Sequence, residues 1–412
     1  MASPQDRQGY GLASDTFDHE EIDAALEVMR SGRYTAGERV AELEHRFADW
    51  IGASHAVMVN SGSSANLLAV EAMVRGTVPE GRRWPAGAEV LVPALSWPTT
   101  VWPIAQLGLV PVLVDVDPTT LAIDLDRAQA LVTPNTVGMF LIHVLGYAAP
   151  LHQYLDFCGA NNMTLLEDSC ESLGAHSDSV HVGTAGTMGT FSTYFSHHMT
   201  TIEGGFVVTD DDRLADDLRG MRSHGWTRGR TDRADFAGRS PLVDDRFLFA
   251  TTGYNLRSTD LAAAIGSIQL DKLPGMLDAR TRLAGHVIER AAAIPWLEVV
   301  GADALAADEI NDKGWRSHSW MNIPFRVDPA AGASRAEVVA SLEADGVETR
   351  PVIAGNLAHH PAMASVAHRR AEDLSVSDAV FEHGFMIGCR PLVTDAEVTT
   401  LDRAIDNLTK LA

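Results

Sequence analysis

Short apolar runs alternate with stretches of helical periodicity along the first 300 residues, and this alternation limits the fold more than any other feature of the chain. The runs lie at 89–93, 110–115, 137–144, 163–167 and 204–209, each bounded by turn residues. Their length suits strands buried on both faces. Helical patterns stand between several of them, around 124–132 and 149–160. Strands that alternate with helices predict an α/β domain built on a mostly parallel, mixed sheet. Ahead of these runs, Val40, Leu43, Phe47 and Trp50 recur at helical spacing, a strand is predicted at 55–59, and a Ser/Gly turn leads to a helix from about Ala65. A long helical stretch, about 258–290, leads out of this domain. Strand-like pieces at 297–300 and 318–327 and helices at 334–345 and 394–411 predict a smaller C-terminal α/β domain. The expected division is an N-terminal arm at 1–36, its first 15 residues mobile, a large domain at 37–285 and a small domain at 286–412.

The chain of 412 residues is long enough for such a pair of domains. Its formal net charge of −23 argues against a nucleic-acid partner and against an anionic membrane surface. Cys158, Cys170 and Cys389 are odd in number and form no CxxC pair, so a disulfide framework is not expected. No run of 18 apolar residues occurs, and Met1 to Tyr10 carries no apolar signal core. These features predict a cytoplasmic protein with no membrane partner.

Four segments point to chemistry. Asn60-Ser61-Gly62-Ser63-Ser64-Ala65-Asn66 lies between a strand and a helix, where free backbone N–H groups and hydroxyls make a phosphate cup. Taken alone it reads rather as an ordinary N-cap turn. Leu165-Leu166-Glu167-Asp168-Ser169 ends a buried strand in two acids, at the end where ligands of α/β sheets lie. An acid there can pair with a cofactor's ring nitrogen, or simply cap a helix. The third segment runs from Ser192 to Gly205 and contains His197-His198 and Glu203-Gly204-Gly205; the fourth is Gly253-Tyr254-Asn255-Leu256-Arg257-Ser258.

In order and spacing these segments resemble the DegT/DnrJ/EryC/StrS family of sugar aminotransferases, which have the aspartate-aminotransferase-like, fold-type-I PLP fold. The resemblance covers the chain from about Gly37 to the last helix. Aligning Glu203-Gly204-Gly205 with the family's acid-Gly-Gly places His197 where the family carries its Schiff-base lysine, and the closest lysines are Lys272 and Lys313. Histidine forms no stable imine but moves protons near neutral pH. The resemblance therefore implies PLP or PMP held non-covalently, with His197 as base. It points to the branch of the family that removes the C3 hydroxyl of a nucleotide-linked 4-keto-6-deoxy sugar, with L-glutamate regenerating PMP. A related branch carries a [2Fe–2S] cluster, which needs four ligands, typically cysteines. Three scattered cysteines do not supply them, so no iron–sulfur cluster is expected.

Carried over position by position, the resemblance assigns Gly62, Ser63 and Ser192 to the cofactor phosphate, Trp97 to a ring face and Asp168 to the ring nitrogen. Asn255 is assigned to the phosphate of a neighbouring subunit, which implies a homodimer with shared sites. His143, Glu171 and Arg350 are assigned to the substrate; Glu171 departs from the family, many of whose members have Gln there. Two adjacent residues do not point the same way, so His198 reads as structural. No metal site is expected, because the remaining histidines lack ligand spacing. A lysine-free transaminase or epimerase, a dehydratase of another keto sugar or aminocyclitol, and a non-catalytic ligand-binding homologue are the alternatives.

Overall fold

The computed structural model describes residues 9–35, 37–78, 81–306 and 310–411. Helix α1 (His19–Ser31) is opened by a capping box between Asp18 and Glu21 and closed by Gly32. Helix α2 (Glu38–Ile51) leads to β1 (His55–Val59), and α3 (Gly62–Arg75) follows after a turn at Ser61. Then come β2 (Glu89–Pro93), α4 (Pro98–Gln106), β3 (Val110–Val114), β4 (Thr136–Ile142), α5 (Leu151–Ala160) and β5 (Thr164–Asp168). Strands β6 (Met188–Ser192) and β7 (Gly205–Thr209), with α6 (Asp212–Met221), complete the series. Helix α7 (Asp260–Ala291) runs for 32 residues.

The C-terminal part contains β8 (Leu297–Val299), β9 (Asn322–Val327), α8 (Arg335–Ala344), β10 (Thr349–Arg350), β11 (Arg369–Arg370), α9 (Ser375–His383), β12 (Gly384–Gly388) and α10 (Asp395–Leu408). The large sheet has the order β1-β7-β6-β5-β4-β2-β3-β11. All its pairs are parallel except those of β7 with β1 and β6. The second sheet, β8-β9-β12-β10, is antiparallel throughout. The α/β architecture of a large, mostly parallel mixed sheet with a smaller sheet is the one expected from the sequence.

Both faces of the large sheet are covered. Along β2, Val90 and Val92 pack into a core with α3 and α4, while Leu91 between them faces α5. This alternation is why the strands read as continuous apolar runs. Helix α7 serves two cores. Ala263, Leu270, Leu273 and Leu277 pack with α2 and the β1 end of the large sheet. Leu283, Ala284, Val287 and Ala291 pack against the small sheet. The helix changes core between Leu277 and Leu283, so the expected domain division at residue 285 lies just inside the second set, and we keep it as a proposal. Strand β11 crosses back from the C-terminal part to the edge of the large sheet beside β3, so chain order and sheet membership do not coincide there.

The N-terminal segment differs from the mobile arm expected. Residues 1–8 of that arm lie outside the described residues, but from Gly9 onward the chain is anchored. Tyr10 is 1% exposed in the core of the small sheet. Its hydroxyl donates to the carbonyl of Gly388 (2.7 Å), its backbone N–H to that of Gly346 (2.7 Å), and the Arg390 guanidinium lies over its ring. Residues 19–31, read as part of the arm, are helical.

Removing the Tyr10 hydroxyl strips Gly388 of a buried donor. Tyr10→Phe is expected to cost about 1 kcal/mol of unfolding free energy, and Tyr10→Ala about 3–5 kcal/mol, the range for emptying a large aromatic site. Urea denaturation monitored by circular dichroism checks both; equal stability of Tyr10→Ala and the parent would show the segment to be unanchored in solution.

Candidate active site

Strand β5 ends in two neighbouring acids, and the pleat sends them opposite ways. Glu167 is fully buried. Its carboxylate accepts from the backbone N–H groups of Gly183 (2.7 Å), Ala185 (2.9 Å) and Gly186 (2.6 Å) and meets His143 Nε2 at 3.0 Å. His143 Nδ1 accepts from Ala149 N–H (3.2 Å), so Nε2 carries the proton toward Glu167. Asp168 faces a cavity of about 430 Å³. Its Oδ2 accepts from Asn66 Nδ2 (2.8 Å) and Thr100 Oγ1 (2.7 Å), and its Oδ1 from Cys170 N–H (3.1 Å). Asn66 is aimed in turn by Thr190, whose hydroxyl donates to Asn66 Oδ1 at 2.6 Å.

Helix α3 points its first turn into the same cavity. Ser61 caps it by accepting from Ser64 N–H at 3.0 Å. Gly62 is required by packing, because a Cβ there would stand 2.6 Å from Ser192 Cβ. The end of β6 therefore closes directly on the helix start and leaves a cradle of N–H groups and hydroxyls, which suits a phosphate. Ser63 donates from Oγ to Thr99 Oγ1 at 3.1 Å. Trp97, 53% exposed, lies at the N-cap of α4 and forms part of the cavity wall.

His197 follows β6 in a turn closed by its N–H to the carbonyl of Tyr194 (3.0 Å). The ring of Tyr194 meets the imidazole edge-on, with centroids 5.8 Å apart. Nδ1 of His197 is buried without a hydrogen-bond partner. Burial, helped by the positive charge of Arg280, pushes the imidazole down to about 4, so it is neutral at physiological pH. Opposite in effect, burial pushes the Glu171 carboxyl up to about 7; the Leu145 N–H, which donates to Oε2 at 3.1 Å, works against this and the charge of Asp168 adds to it. Leu145 holds that donor from a left-handed backbone, φ 51°.

The chain's three lysines, Lys272, Lys313 and Lys410, are all placed away from this cavity. Lys272 pairs with Asp18, Glu20 and Glu21. Lys313 lies over Trp315 and donates to the carbonyl of Asp49, and Lys410 donates to Asn407.

The cavity brings together His197, Gly62, Ser63, Trp97, Asp168, Ser192 and Glu171. Two residues assigned to the substrate, His143 and Arg350, lie outside this cavity. His143, assigned to the substrate, is buried behind β5, because the pairing with Glu167 draws it to the other face. Arg350, also assigned to the substrate, is half-exposed and donates to Glu348 Oε1 at 2.6 Å. Asn255 is exposed and accepts from Arg257 Nε at 3.1 Å, outside this cavity. His198 is buried and meets the carbonyl of Ser319 at 3.1 Å. Sequence reasoning gave no role to Asn66, quoted only as the end of the Ser/Gly turn segment, or to Thr100 in the first turn of α4. It also missed the far wall, formed by Leu12, Met321, Asn322, Ile353 and Met386. Among the described residues, no group of three or more His, Cys, Asp or Glu is placed to hold a metal ion.

These residues fit a pyridoxal-type cofactor. The helix start and Ser192 form an anion cradle, Asp168 is a fixed acid on the same wall, and a neutral imidazole with an unpartnered nitrogen lines the cavity, with no lysine among its lining residues. Residues 15–406 match the model of the DegT/DnrJ/EryC1/StrS aminotransferase family. The chain is 33% identical to a GDP-4-keto-6-deoxy-D-mannose 3-dehydratase of Yersinia pseudotuberculosis, over 95% of this chain and 97% of that protein. It is 34% identical to a dTDP-4-dehydro-2,6-dideoxy-D-glucose 3-dehydratase of Saccharopolyspora spinosa, over 91% of this chain and 80% of that protein. It superposes with a TM-score of 0.86, at 32% identity, on the crystal structure of a GDP-4-keto-6-deoxymannose-3-dehydratase with a trapped PLP-glutamate geminal diamine, covering 96% of this chain and 100% of that one.

Four histidines, the buried His181, His198 and His318 and the partly buried His197, are held below their usual proton affinity, His181 and His318 down to about 3. Between pH 6.5 and those values the unfolded chain takes up protons that the folded chain does not. Stability is therefore present above pH 6.5 and is lost as pH falls, by about 1.4 kcal/mol per pH unit for each such group. Glu171, raised to about 7, acts with the opposite sign, but it is one group against four. Urea denaturation at pH 7.5 and pH 5.5 is expected to show a clear loss at the lower pH; unchanged or higher stability at pH 5.5 would mean that these histidines titrate normally.

Proposed function

The chain belongs to the DegT/DnrJ/EryC1/StrS aminotransferase family, and from that premise we propose that it is a PMP/PLP-dependent dehydratase that removes the C3 hydroxyl of a nucleotide-linked 4-keto-6-deoxy sugar. The observation that carries this reading is a cavity that gathers Gly62, Ser63, Trp97, Asp168 and Ser192 with a neutral histidine, and no lysine, on its wall. The full-length likeness to 3-dehydratases supports it.

When bound, the amine form of the cofactor supplies a nitrogen that condenses with the sugar ketone and a ring that spreads the negative charge left by deprotonation. The work assigned to this chain's residues is binding, orientation and proton transfer. The first turn of α3 at Gly62 and Ser63, with Ser192, binds the phosphate. Asp168, immobilised by Asn66 and Thr100, holds a proton at the ring nitrogen. Trp97 covers the ring. His197 is a base that is free to accept a proton at any pH above about 4. With no lysine in the cavity to return that proton to carbon, His197 would pass it to the departing neighbouring hydroxyl, and the chemistry supplied by the bound cofactor would end, after loss of water and hydrolysis by water of the carbon–nitrogen bond, in a sugar without nitrogen. L-Glutamate returns the amine, so that keto sugar and glutamate give deoxy-keto sugar, 2-oxoglutarate and ammonia. The glutamate in the solved relative's trapped adduct supports that co-substrate.

The reading includes a homodimer with shared sites. Its support is the exposed position of Asn255, together with the apolar side chains of Ile22, Leu26 and Met29, all more than 40% exposed along one face of α1. It also includes a cytoplasmic location. No described helix is long and apolar enough to cross a membrane, and all three cysteines are free thiols, which suits a reducing compartment.

Purified protein with PLP and L-glutamate, given a panel of nucleotide 4-keto-6-deoxy sugars, is expected to yield a product lighter by one oxygen and containing no added nitrogen. His197→Asn is expected to lose about 10²–10⁴-fold in turnover while still binding cofactor. Mass spectrometry reads both, and a product that gains an amino group would replace the dehydratase with a lysine-free transaminase. Borohydride treatment is expected to leave the cofactor unattached to protein. In sedimentation velocity the protein is expected to run as a dimer, and Asn255→Ala to weaken cofactor binding; a fully active monomer would end the shared-site reading.

A further inference from the structure

Helix α7 turns the side chain of Arg280 into the protein, where it is 4% exposed. Nη1 donates to the carbonyls of Met321 (2.9 Å), Trp320 (3.3 Å) and Cys389, and Nη2 donates to the carbonyl of His197 (3.2 Å). Every one of these partners is a backbone carbonyl. Nε is buried without a partner, and no carboxylate pairs with this guanidinium among the described residues. A buried cation without a counter-charge is costly. Neutral donors could serve carbonyls, so the charge itself calls for an explanation.

Two features supply one. First, the fork joins three segments that form one side of the cavity: the turn that carries His197, the stretch at Trp320–Met321 that enters β9, and the residue that follows β12. Met321, Asn322 and Met386 from the last two line the cavity with His197. Second, the charge is next to the imidazoles. Arg280 is the second cause, after burial, that lowers the proton affinity of both His197 and His198. The other groups about this cluster do not cancel it. Tyr10 and Cys389, which adjoin the guanidinium, are themselves held neutral by burial. His318 adjoins His198 and is neutral. On the cavity side stand Asp168, Cys170, Glu171, Tyr194 and Glu203. Of these, Asp168 is already saturated by Asn66, Thr100 and Cys170 N–H, and Glu171 is raised toward neutrality.

We propose that Arg280 is a positioning residue for His197: its guanidinium clamps the backbone that carries the imidazole to the two other segments of the wall, and sets beside it a fixed positive charge with no carboxylate partner among the described residues. The proposal rests on the reading of His197 as the base. A neutral base is needed at the moment of deprotonation, and a fixed positive charge beside it opposes premature protonation. The same charge disfavours the protonated state that follows, so the proton is passed on rather than held. Lysine could keep the charge but not the planar fork that reaches several carbonyls at once.

The test is a histidine titration by NMR on the cofactor-loaded protein, with His197→Asn assigning the His197 signal. In the parent, His197 is expected to titrate at least one pH unit below 6.5; an ordinary midpoint there overturns the proposal without any variant. Arg280→Met, which keeps the stem and removes the charge, is expected to raise the midpoint by a unit or more. The acid limb of kcat/KM is expected to move up with it. Arg280→Gln carries the same test should Arg280→Met fail to fold. Arg280→Lys is expected to keep the low midpoint and to lose turnover roughly tenfold or more, with KM little changed. A folded Arg280→Met or Arg280→Gln protein whose His197 midpoint equals that of the parent overturns the proposal. A midpoint that shifts while the acid limb of kcat/KM stays in place upholds the coupling and instead removes His197 as the base, so the two failures are distinguishable.

Discussion

A carboxylate that is almost wholly buried at the end of a sheet strand survives only if its oxygens are satisfied, and in this protein that requirement organises the site. Asp168 is 5% exposed and takes hydrogen bonds from α3, from α4 and from the turn that follows its own strand. Removing a buried partner leaves the full desolvation cost behind. The two helices are thus fixed relative to β5 by chemistry as well as by packing. The start of α3 and Trp97 at the N-cap of α4 inherit their positions from the same three bonds. Glu167, one residue earlier, is satisfied on the opposite face by three backbone donors and His143, so the strand cannot slip by a residue without orphaning both acids.

The wall across from Asp168 depends on a different kind of bond. His197 sits in a turn whose carbonyl is taken by Arg280, while the next residue, His198, reaches the carbonyl of Ser319. Both partners belong to the region where α7 passes from one core to the other. The turn that carries the imidazole is therefore tied to the small sheet, although its chain emerges from the large one. A flexible side chain of lysine length is not needed to bring a proton acceptor into the cavity when the backbone itself is held in place.

Much of this was legible in the sequence, and the parts that were not share a cause. Strands buried on both faces read as apolar runs, and β2, β3, β4, β5 and β7 fall within a residue or two of expectation. Strand β6 was not seen, because Met188-Gly189-Thr190-Phe191-Ser192 mixes glycine and hydroxyl residues into a fully buried strand. Those small side chains are what let Gly62 and Asn66 approach. Helix α1 was read as arm because only Glu21 and Val28 of it are buried within this chain. The Ser-Gly-Ser turn and Asp168 do line one cavity, since those residues face where their place in the sequence puts them. His143 and Arg350 were misplaced because a position at a strand end does not say which face a side chain takes or which neighbour captures it. Arg280 gave no signal at all. In Asp278-Ala279-Arg280-Thr281-Arg282 it looks like one more surface arginine on a helix, and only the meeting of three distant segments reveals that it is buried.

The electrostatics of the cavity follow from burial acting with opposite sign on acids and bases. The charged form is disfavoured in each case, so the imidazole of His197 falls to about 4 and the carboxyl of Glu171 rises to about 7. Between those values both are uncharged. A chain with a formal net charge of −23 must nevertheless admit a phosphate and a nucleotide sugar, both anionic, in the function proposed. Most of that charge is on the surface, where it is screened beyond about 8–10 Å at physiological salt. What an entering anion meets at the phosphate end is the helix dipole at Gly62 and hydroxyls; elsewhere on the wall stand a neutral imidazole, a carboxyl near neutrality at Glu171, and the carboxyls of Asp168, held by three donors, and Glu203. Pairs of titratable groups driven apart in this way are a mark of sites that move protons. Here the separation comes from the same dry wall that holds the histidine in place, so the geometry of the base and its protonation state cannot be changed independently.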